Sequence, residues 1–178
     1  MIPAAFDPSL PDLPLRFGVV GIVLALTCLL MEGWAVLAHE RLWHRALWFI
    51  HRSHNRPRAG LFEANDSFAL FNAPPAILLL SWGTWGSPGW PTTLAWAIGA
   101  GISLYGTAYL LVHDGYVHGR LPLGFLDRFA YMRLLRAAHR VHHADEAAPF
   151  GLFYGPWELA TRRAALRRRA PSPPRGFE

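Results

Sequence analysis

Residues 17–38, FGVVGIVLALTCLLMEGWAVLA, form an apolar run that decides the fold class of this chain. At 1.5 Å rise per residue, a helix over this run is about 33 Å long, which exceeds the bilayer hydrocarbon core of about 30 Å. A secretory signal peptide is a weaker interpretation, because the run is long and the preceding segment carries Asp7, Asp12 and Arg16 rather than a basic start. We therefore predict a membrane-spanning helix, interrupted only by Glu32 and mildly polar residues.

Two further apolar runs follow, at about 67–85 and about 92–112. The first of them contains Pro74 and Pro75, which remove helical donors and predict a kink that neighbouring helices can accommodate inside a membrane. The second contains small residues that allow close contact between helices: Gly99, Gly101 and Ser103. Together the three runs predict an all-α integral membrane protein with three spans.

The composition agrees with a small membrane protein of one domain. Among the 178 residues, 52% are hydrophobic and 16% are charged, whereas about 25% of an average soluble domain is charged. We expect residues 1–178 to form a single membrane domain, because the length is typical of one. The single cysteine, Cys28, excludes an internal disulfide framework and a cysteine-based zinc or iron–sulfur cluster. All 17 basic residues are arginine, which excludes lysine nucleophiles and Schiff bases.

The arginines predict the orientation of the chain in the membrane. Five of them follow the first span and eleven follow the third, while the turn at 84–91 carries no charge. By the positive-inside rule, the histidine-containing segments 39–64 and 113–159 are expected on the cytoplasmic side of the cytoplasmic (inner) membrane. The N-terminal segment is then expected to face outward. The five arginines after the first span are Arg41, Arg45, Arg52, Arg56 and Arg58.

Two cytoplasmic segments are predicted to contact the membrane surface. Residues 122–143 have apolar positions near helical spacing and predict an amphipathic helix. The Arg-rich tail 160–178 carries six arginines. Attraction to anionic lipid headgroups, about 1 kcal/mol per arginine, explains such a tail beside three spans better than nucleic-acid binding does.

Nine histidines all fall on the predicted cytoplasmic side, in four clusters. A lone histidine is more often structural than a metal ligand, but scattered structural histidines would not sort to one side of a membrane. None lies in the N-terminal segment, in the outer turn or in the last 35 residues. We therefore predict nine metal ligands: His39, His44, His51, His54, His113, His118, His139, His142 and His143.

The spacing within the clusters predicts more than one metal. His51 and His54, and likewise the cluster that starts at His139, have helical spacings of three or four and can face one metal. His39 and His44 are five apart, about 140° round a regular helix, and the pair at 113 and 118 has the same spacing. Such splayed pairs favour two metals between converging helices. Nine imidazoles also exceed the six positions of one octahedral ion.

Iron is the metal that the pattern favours. Imidazole binds several metals, but a zinc hydrolase of the H-E-x-x-H type needs two histidines four apart, and residues 39–44, HERLWH, have one residue too many. A pair of irons that activates O₂ suits the apolar surroundings that a membrane supplies. Nearby carboxylates can accept the outer imidazole N–H and fix its orientation, or can pair with arginines instead: Glu40, Glu63, Asp66, Asp114 and Asp145.

Several motifs resemble those of the non-haem di-iron β-carotene 3-hydroxylases of bacteria and plant plastids, within the fatty acid hydroxylase/sterol desaturase superfamily. The similarity runs from about His39 to Leu159, two-thirds of the chain. The motifs are HERLWH (39–44), HRSHNRPR (51–58), FEAND (62–66), HDGYVHGR (113–120), HRVHH (139–143) and PFGLFYGPWEL (149–159). The third, fourth and last of these favour the carotenoid branch.

The resemblance implies a fold, a cofactor and a reaction. The fold often has four spans, and the cofactor is a pair of iron ions in four histidine boxes, which all nine histidines of this chain match. The reaction uses O₂ and electrons from a ferredoxin-type donor to hydroxylate C3 of a β-ionone ring, giving zeaxanthin from β-carotene through β-cryptoxanthin. One position departs from the family pattern. Asn55 stands where the second box normally has another histidine, which makes it an additional and weaker candidate ligand.

Three alternative functions remain open at this point. The nearest is another C–H hydroxylase or desaturase of the same superfamily, acting on a fatty acyl chain or a sterol. A histidine-rich metal transporter or sensor would place its ligands inside the spans rather than at one surface. A zinc-dependent membrane hydrolase would contain zinc rather than iron.

Overall fold

The computed structural model describes residues 2–55 and 62–169. These residues form helices and connecting turns without a β-strand, in agreement with the predicted all-α class. Arg56 and Arg58, which belong to the predicted orientation signal, lie outside the described residues, as do residues 170–178 of the predicted tail.

The helices of the described chain differ in type as well as in length. The α-helices are, in chain order, α1 (Leu13–Ala38), α2 (Trp48–His51), α3 (Ala69–Trp85), α4 (Trp90–Tyr109), α5 (Ala130–Asp145) and α6 (Gly155–Arg169). Two π-helical segments extend α1 and α4 without a break, the first at His39–Ala46 and the second at Leu110–Val117. Short 3₁₀ helices lie at Ala4–Phe6, Ala64–Phe68 and Gly124–Arg128.

Two helices are long and apolar enough to cross a membrane: α1 and α4, each taken with its π-helical extension. Pro14 and Pro91 stand in their first turns, where the missing backbone N–H costs no helical hydrogen bond. The third predicted span corresponds to α3, which has 17 residues, about 26 Å of helix, and contains Pro74 and Pro75. The structure therefore supplies two candidate spans, and the third stays a prediction.

Glycines of α4 determine how closely the long helices pack. A Cβ on Gly99 would lie 2.9 Å from the backbone nitrogen of Leu80 in α3, and a Cβ on Gly101 would lie 2.6 Å from Cβ of Thr27 in α1. Because both positions lack a side chain, α4 packs tightly between α1 and α3. The predicted close contacts are confirmed for the two glycines, whereas Ser103 donates within its own helix, to the Gly99 carbonyl at 2.9 Å.

A buried arginine joins α1 to α4 at the end of the bundle away from the histidines. Arg16 is 3% exposed, and its Nε lies 2.6 Å from Oδ1 of Asp12. Its Nη1 donates to Oγ1 of Thr93 at 2.7 Å, and its guanidinium lies 4.3 Å from the ring centroid of Trp90. These partners compensate a charge that would be costly to bury alone. They also link the N-terminal turn of α1 to that of α4.

The predicted single helix over 122–143 is wrong in its boundaries. The structure has a 3₁₀ helix that ends at Arg128, an extended residue at Phe129 (φ −90°, ψ 124°), and α5 from Ala130. The extended residue reorients the chain, so that α5 turns one face toward the ends of the spans. The buried residues on that face are Leu135, Ala138, His139 and His142.

Candidate metal centre

One histidine pair lies in the first π-helical segment, and the pair His113 and His118 lies in and directly after the second. A π-helix has i→i+5 hydrogen bonds, and the backbone N–H of His118 donates to the His113 carbonyl at 3.0 Å. This wider winding brings residues five apart close to the same face, unlike a regular helix. The predicted splaying of His39 and His44 is therefore corrected, since their ring centroids lie 5.0 Å apart and both side chains point into one cluster.

Four imidazoles from three parts of the chain form the first histidine group: His39, His44, His51 and His142. One ring nitrogen from each lies within 4.8 Å of those from the other three. The Nε2 atoms of His39 and His51 are 3.1 Å apart, and those of His44 and His142 are 3.2 Å apart. The first π-helical segment, α2 and α5 thus converge on one point.

The second histidine group is His54, His118, His139 and His143, again with ring nitrogens within 4.8 Å of one another. The Nε2 of His139 lies 2.9 Å from that of His118 and 2.8 Å from that of His143. The ninth histidine, His113, is adjacent, with its Nε2 3.1 Å from that of His54. Eight of the nine predicted histidines therefore form two neighbouring groups, and the ninth lies beside the second group.

The division between the groups differs from the one expected from helical spacing. His51 and His54 are separated, because α2 ends at His51 and the turn that follows directs His54 toward the second group. On α5, His139 and His143 share the second group, while His142 belongs to the first. Helix α5 therefore presents one imidazole to one group and two to the other, and it lies between them.

Backbone and amide oxygens fix the orientation of the first group. The Nδ1 atoms of His39 and His142 lie 2.8 Å from the carbonyl oxygens of Phe150 and Ala147. The Nδ1 of His51 lies 2.7 Å from Oδ1 of Asn65. Since these oxygens carry no hydrogen, each Nδ1 is the donor, and the lone pair of each ring is on Nε2, inside the group.

Burial keeps the imidazole rings of His51, His118 and His143 neutral at physiological pH. It lowers the pKa from 6.5 to about 4 for His51 and His143 and to about 3 for His118, because a buried cationic ring loses its hydration and lies beside other imidazoles. A neutral imidazole with a free lone pair is the form that binds a metal.

The donor set fits metal ions. The facing Nε2 atoms of His39 and His51 both carry lone pairs at 3.1 Å, an arrangement that is repulsive unless a cation lies between them. Two donors about 2.1 Å from one ion, at right angles, are about 3.0 Å apart. The four shortest Nε2–Nε2 distances within the two groups match this value, since they run from 2.8 to 3.2 Å.

Carboxylates and an arginine surround the second group. Oε2 of Glu63 lies 3.4 Å from Nδ1 of His54, and Oδ1 of Asp114 lies 3.5 Å from Nδ1 of His113. The guanidinium of Arg120 pairs with Glu63 at 3.0 Å and with Asp114 at 3.7 Å. The second group thus has an anionic outer layer held by one arginine, whereas the first has neutral acceptors.

The other predicted carboxylates lie apart from the imidazole nitrogens. Asp66 pairs with Arg120 at 2.8 Å and accepts from the Glu63 backbone N–H at 2.9 Å. Glu40 pairs with Arg41 at 3.4 Å, the alternative that sequence reasoning left open. Asp145 is exposed and makes no hydrogen bond or ion pair with the described residues.

Four residues around the groups were not identified from the sequence: Glu32, Asn65, Arg120 and Glu158. Asn65, Arg120 and Glu158 lie within the quoted motifs FEAND, HDGYVHGR and PFGLFYGPWEL, where only the histidines and three of the acids had been selected as candidates. Glu32 had a separate signal, since an acidic residue within an apolar span is costly without partners.

Two cavities open beside the two groups. One, of about 390 Å³, is lined by His44, Trp48 and Phe150 together with Glu40, Arg45 and Glu146. The other, of about 290 Å³, is lined by Asn55, Val117 and Arg140 together with all four imidazoles of the second group. In this second cavity Oδ1 and Nδ2 of Asn55 are buried, and neither has a hydrogen-bond partner among the described residues.

The known proteins that this chain resembles are described as hydroxylases. The family model described as fatty acid hydroxylase matches residues 24–161, which contain both histidine groups. A "Beta-carotene 3-hydroxylase, chloroplastic" of Gentiana lutea is 50% identical over 131 residues, 72% of this chain and 41% of that protein. One of Haematococcus lacustris is 46% identical over 133 residues, again 72% of this chain and 41% of its own length.

A bacterial relative is covered more completely. The "Beta-carotene hydroxylase" of Pseudescherichia vulneris is 41% identical over 161 residues, 88% of this chain and 88% of that protein. The chain spans about two-fifths of the length of the chloroplast relatives that it matches. No solved structure matches it. By the family model and by this bacterial relative, the chain belongs to the fatty acid hydroxylase family.

Proposed function

We propose that this chain is a carotenoid β-ring 3-hydroxylase, which converts β-carotene to zeaxanthin through β-cryptoxanthin. The observation that carries the proposal is the 41% identity to a bacterial β-carotene hydroxylase over 88% of both chains. The two histidine groups provide the chemistry that such an enzyme needs. The reaction consumes O₂, two electrons and two protons for each hydroxyl formed, with water as the second product.

The proposed cofactor is a pair of iron ions, one in each histidine group. When bound, the pair would supply the activation of O₂, and a ferredoxin-type donor would supply the electrons. The proposed ligands of one iron are His39, His44, His51 and His142. Those of the other are His54, His118, His139 and His143, with His113 and Asn55 as further donors.

The surrounding residues have three tasks in this proposal. The Phe150 and Ala147 carbonyls hold the Nδ1 protons of His39 and His142, so that Nε2 remains free to bind. Six of the nine imidazoles are buried, which limits the access of water to the reacting centre. The cavity beside His44, with Trp48 and Phe150 in its wall, offers aromatic surface for an apolar ring.

A membrane orientation with the histidines in the cytoplasm completes the proposal. The single membrane domain 1–178 would cross the bilayer three times, through α1, α3 and α4. Hydropathy indicates no fourth span. Exposed apolar side chains on α3 support this role, since Leu78 is 70% and Ile77 is 61% exposed. Such side chains suit contact with lipid.

A reporter fused after residue 88 is expected on the periplasmic side, and one at the C-terminus on the cytoplasmic side. The uncharged turn at 84–91 and the arginines that follow the first and third spans are the reason. Paired phosphatase and fluorescent-protein fusions measure both positions. If the two reporters lie on the same side, an odd number of spans between residue 88 and the C-terminus is excluded, and the proposed cytoplasmic site loses its basis.

The function itself is tested in cells that accumulate β-carotene. Expression of this chain is expected to produce β-cryptoxanthin and zeaxanthin, separated by liquid chromatography. The purified protein is expected to carry about two iron ions and little zinc, because each histidine group fits one ion. Unchanged pigments together with a protein that holds one zinc and no iron would contradict the proposal.

Hydroxylation of a fatty acyl chain is the second candidate, favoured by the description of the matching family model. The same metal groups would serve both reactions, so only the product distinguishes them. Mass spectrometry of the lipids from the same cells is therefore part of the experiment. Hydroxylated acyl chains with unchanged carotenoids would replace the carotenoid proposal with this one.

A further inference from the structure

The loop between α5 and α6 supplies both backbone carbonyls that orient the first histidine group. We call residues 147–154 the strap. Its Ala147 carbonyl accepts from Nδ1 of His142, and its Phe150 carbonyl accepts from Nδ1 of His39, both at 2.8 Å. Two of the four imidazoles in the first group therefore depend on the position of one loop.

A carboxylate of α6 holds the middle of the strap. Oε2 of Glu158 accepts from the backbone N–H of Phe150 at 2.9 Å and from that of Gly151 at 3.1 Å. The N–H of Phe150 is thus held by Glu158, while its carbonyl holds His39. Both peptide groups that flank the Cα of Phe150 are fixed from opposite sides. A shift at Glu158 is expected to move the acceptor of His39 directly.

A second carboxylate holds the far end of the strap from inside the membrane bundle. Glu32 of α1 is 2% exposed, and its Oε1 accepts from the backbone N–H of Tyr154 at 2.9 Å. Its Oε2 accepts from the hydroxyl of Tyr105 at 2.7 Å. The strap also packs on this carboxylate, because a Cβ on Gly151 would lie 3.1 Å from Glu32 Oε1. The two hydrogen bonds offset part of the cost of a carboxylate within an apolar span.

We propose that Glu32 and Glu158 are positioning residues that hold the strap 147–154 against His39 and His142, and thereby determine the metal affinity of the first histidine group alone. The selectivity follows from the geometry. At the second group, the outer nitrogens of His54 and of the adjacent His113 lie against Glu63 and Asp114, and neither carboxylate belongs to the strap. The inference rests on the proposed two-iron centre.

The test compares iron binding to Glu158→Ala, Glu158→Gln and the unaltered protein, all purified in detergent and titrated with Fe(II). The unaltered chain is expected to bind two ions tightly. In Glu158→Ala one of the two is expected to bind about 10- to 100-fold more weakly, the range typical of lost outer partners. Mössbauer spectra at limiting iron should then show an isolated ion instead of a coupled pair.

Rescue by the amide separates positioning from a general loss of structure. Both strap N–H groups bond to the same oxygen of Glu158, so the amide oxygen of Glu158→Gln can accept both, and two tight sites are expected. Glu32→Gln and Glu32→Leu form a second pair of variants. The glutamine variant is expected to keep two tight iron sites, and the leucine variant is expected to bind one ion more weakly. Asp145→Ala is the matched control, since it removes an exposed carboxylate near the strap that forms no hydrogen bond or ion pair with the described residues.

Three results would contradict the proposal or its basis. Two tight sites in Glu158→Ala and in Glu32→Leu would show that the strap does not control the first group. Loss of both sites in either variant would show a general structural role and would also overturn the proposal. An unaltered protein that binds no iron would instead remove the proposed function, and this outcome is read from the reference sample before any variant is compared.

Discussion

Replacing His142 by Ala is expected to abolish hydroxylation and to remove one iron from the purified protein. The side chain is 0% exposed, and its Nε2 lies 3.2 Å from that of His44 at the centre of the first group. Alanine leaves three imidazoles there and frees the Ala147 carbonyl from its donor. The spans carry the hydrophobicity that drives insertion, and α5 lies outside them, so the protein is expected to reach the membrane in normal amounts.

The measurement is pigment composition in β-carotene-accumulating cells, together with iron content and the amount of protein in the membrane fraction. Ala144→Ser is a suitable control, because residue 144 is exposed on the same helix and is absent from both histidine groups. Zeaxanthin formed at the normal rate by His142→Ala would remove His142 from the proposed ligand set. The first group would then lack any ligand from α5.

Sequence reasoning identified the histidines as a set, because their positions relative to the apolar runs can be read directly from the sequence. Its division of them by regular helical spacing differs from the two observed groups. The assignment depends on the winding of the chain at His39–Ala46 and Leu110–Val117, where a π-helix replaces the α-helix. Local residue preferences do not indicate such a change. The regular-helix geometry therefore gave the wrong relation between His39 and His44.

The outer partners of the imidazoles were predictable only in part. Asp114 is next to His113 in the sequence, so a contact between them could be expected. The Phe150 carbonyl that serves His39 is a backbone group and is 111 residues away, so no residue type marks it. The same is true of the bond between Glu32 and the Tyr154 N–H, which joins positions 122 residues apart. Such contacts arise from the tertiary fold.

The helices themselves were well predicted where apolar content alone decides them. α1 and α4 correspond to the predicted spans at 17–38 and 92–112, and the glycine contacts of α4 were expected from small residues in an apolar run. The surface helix was less well predicted. Its break is an extended residue at Phe129, and no proline or glycine at that position indicates it.

Asn55→Leu is expected to lower the iron affinity of the second group by about 10- to 100-fold, and Asn55→His to preserve or raise it. In the structure Asn55 shares a cavity with the four imidazoles of that group. An amide oxygen is a weaker donor to Fe(II) than an imidazole nitrogen, so the histidine variant should bind at least as tightly. Fe(II) titration and zeaxanthin formation measure the two effects.

If Asn55 has no part in metal binding, the leucine variant is expected to be more stable and to keep its iron. Both polar atoms of its side chain are buried without a hydrogen-bond partner among the described residues, and leaving such a group unpaired costs about 1–3 kcal/mol. If nothing binds the amide, leucine removes that cost, and the variant should unfold at a higher temperature with its iron and turnover unchanged. If the amide is a ligand, leucine should lower iron occupancy and turnover together, and adding Fe(II) in excess should restore part of both. A more stable Asn55→Leu protein with two tight iron sites would therefore exclude Asn55 from the centre and leave the histidines as the ligands.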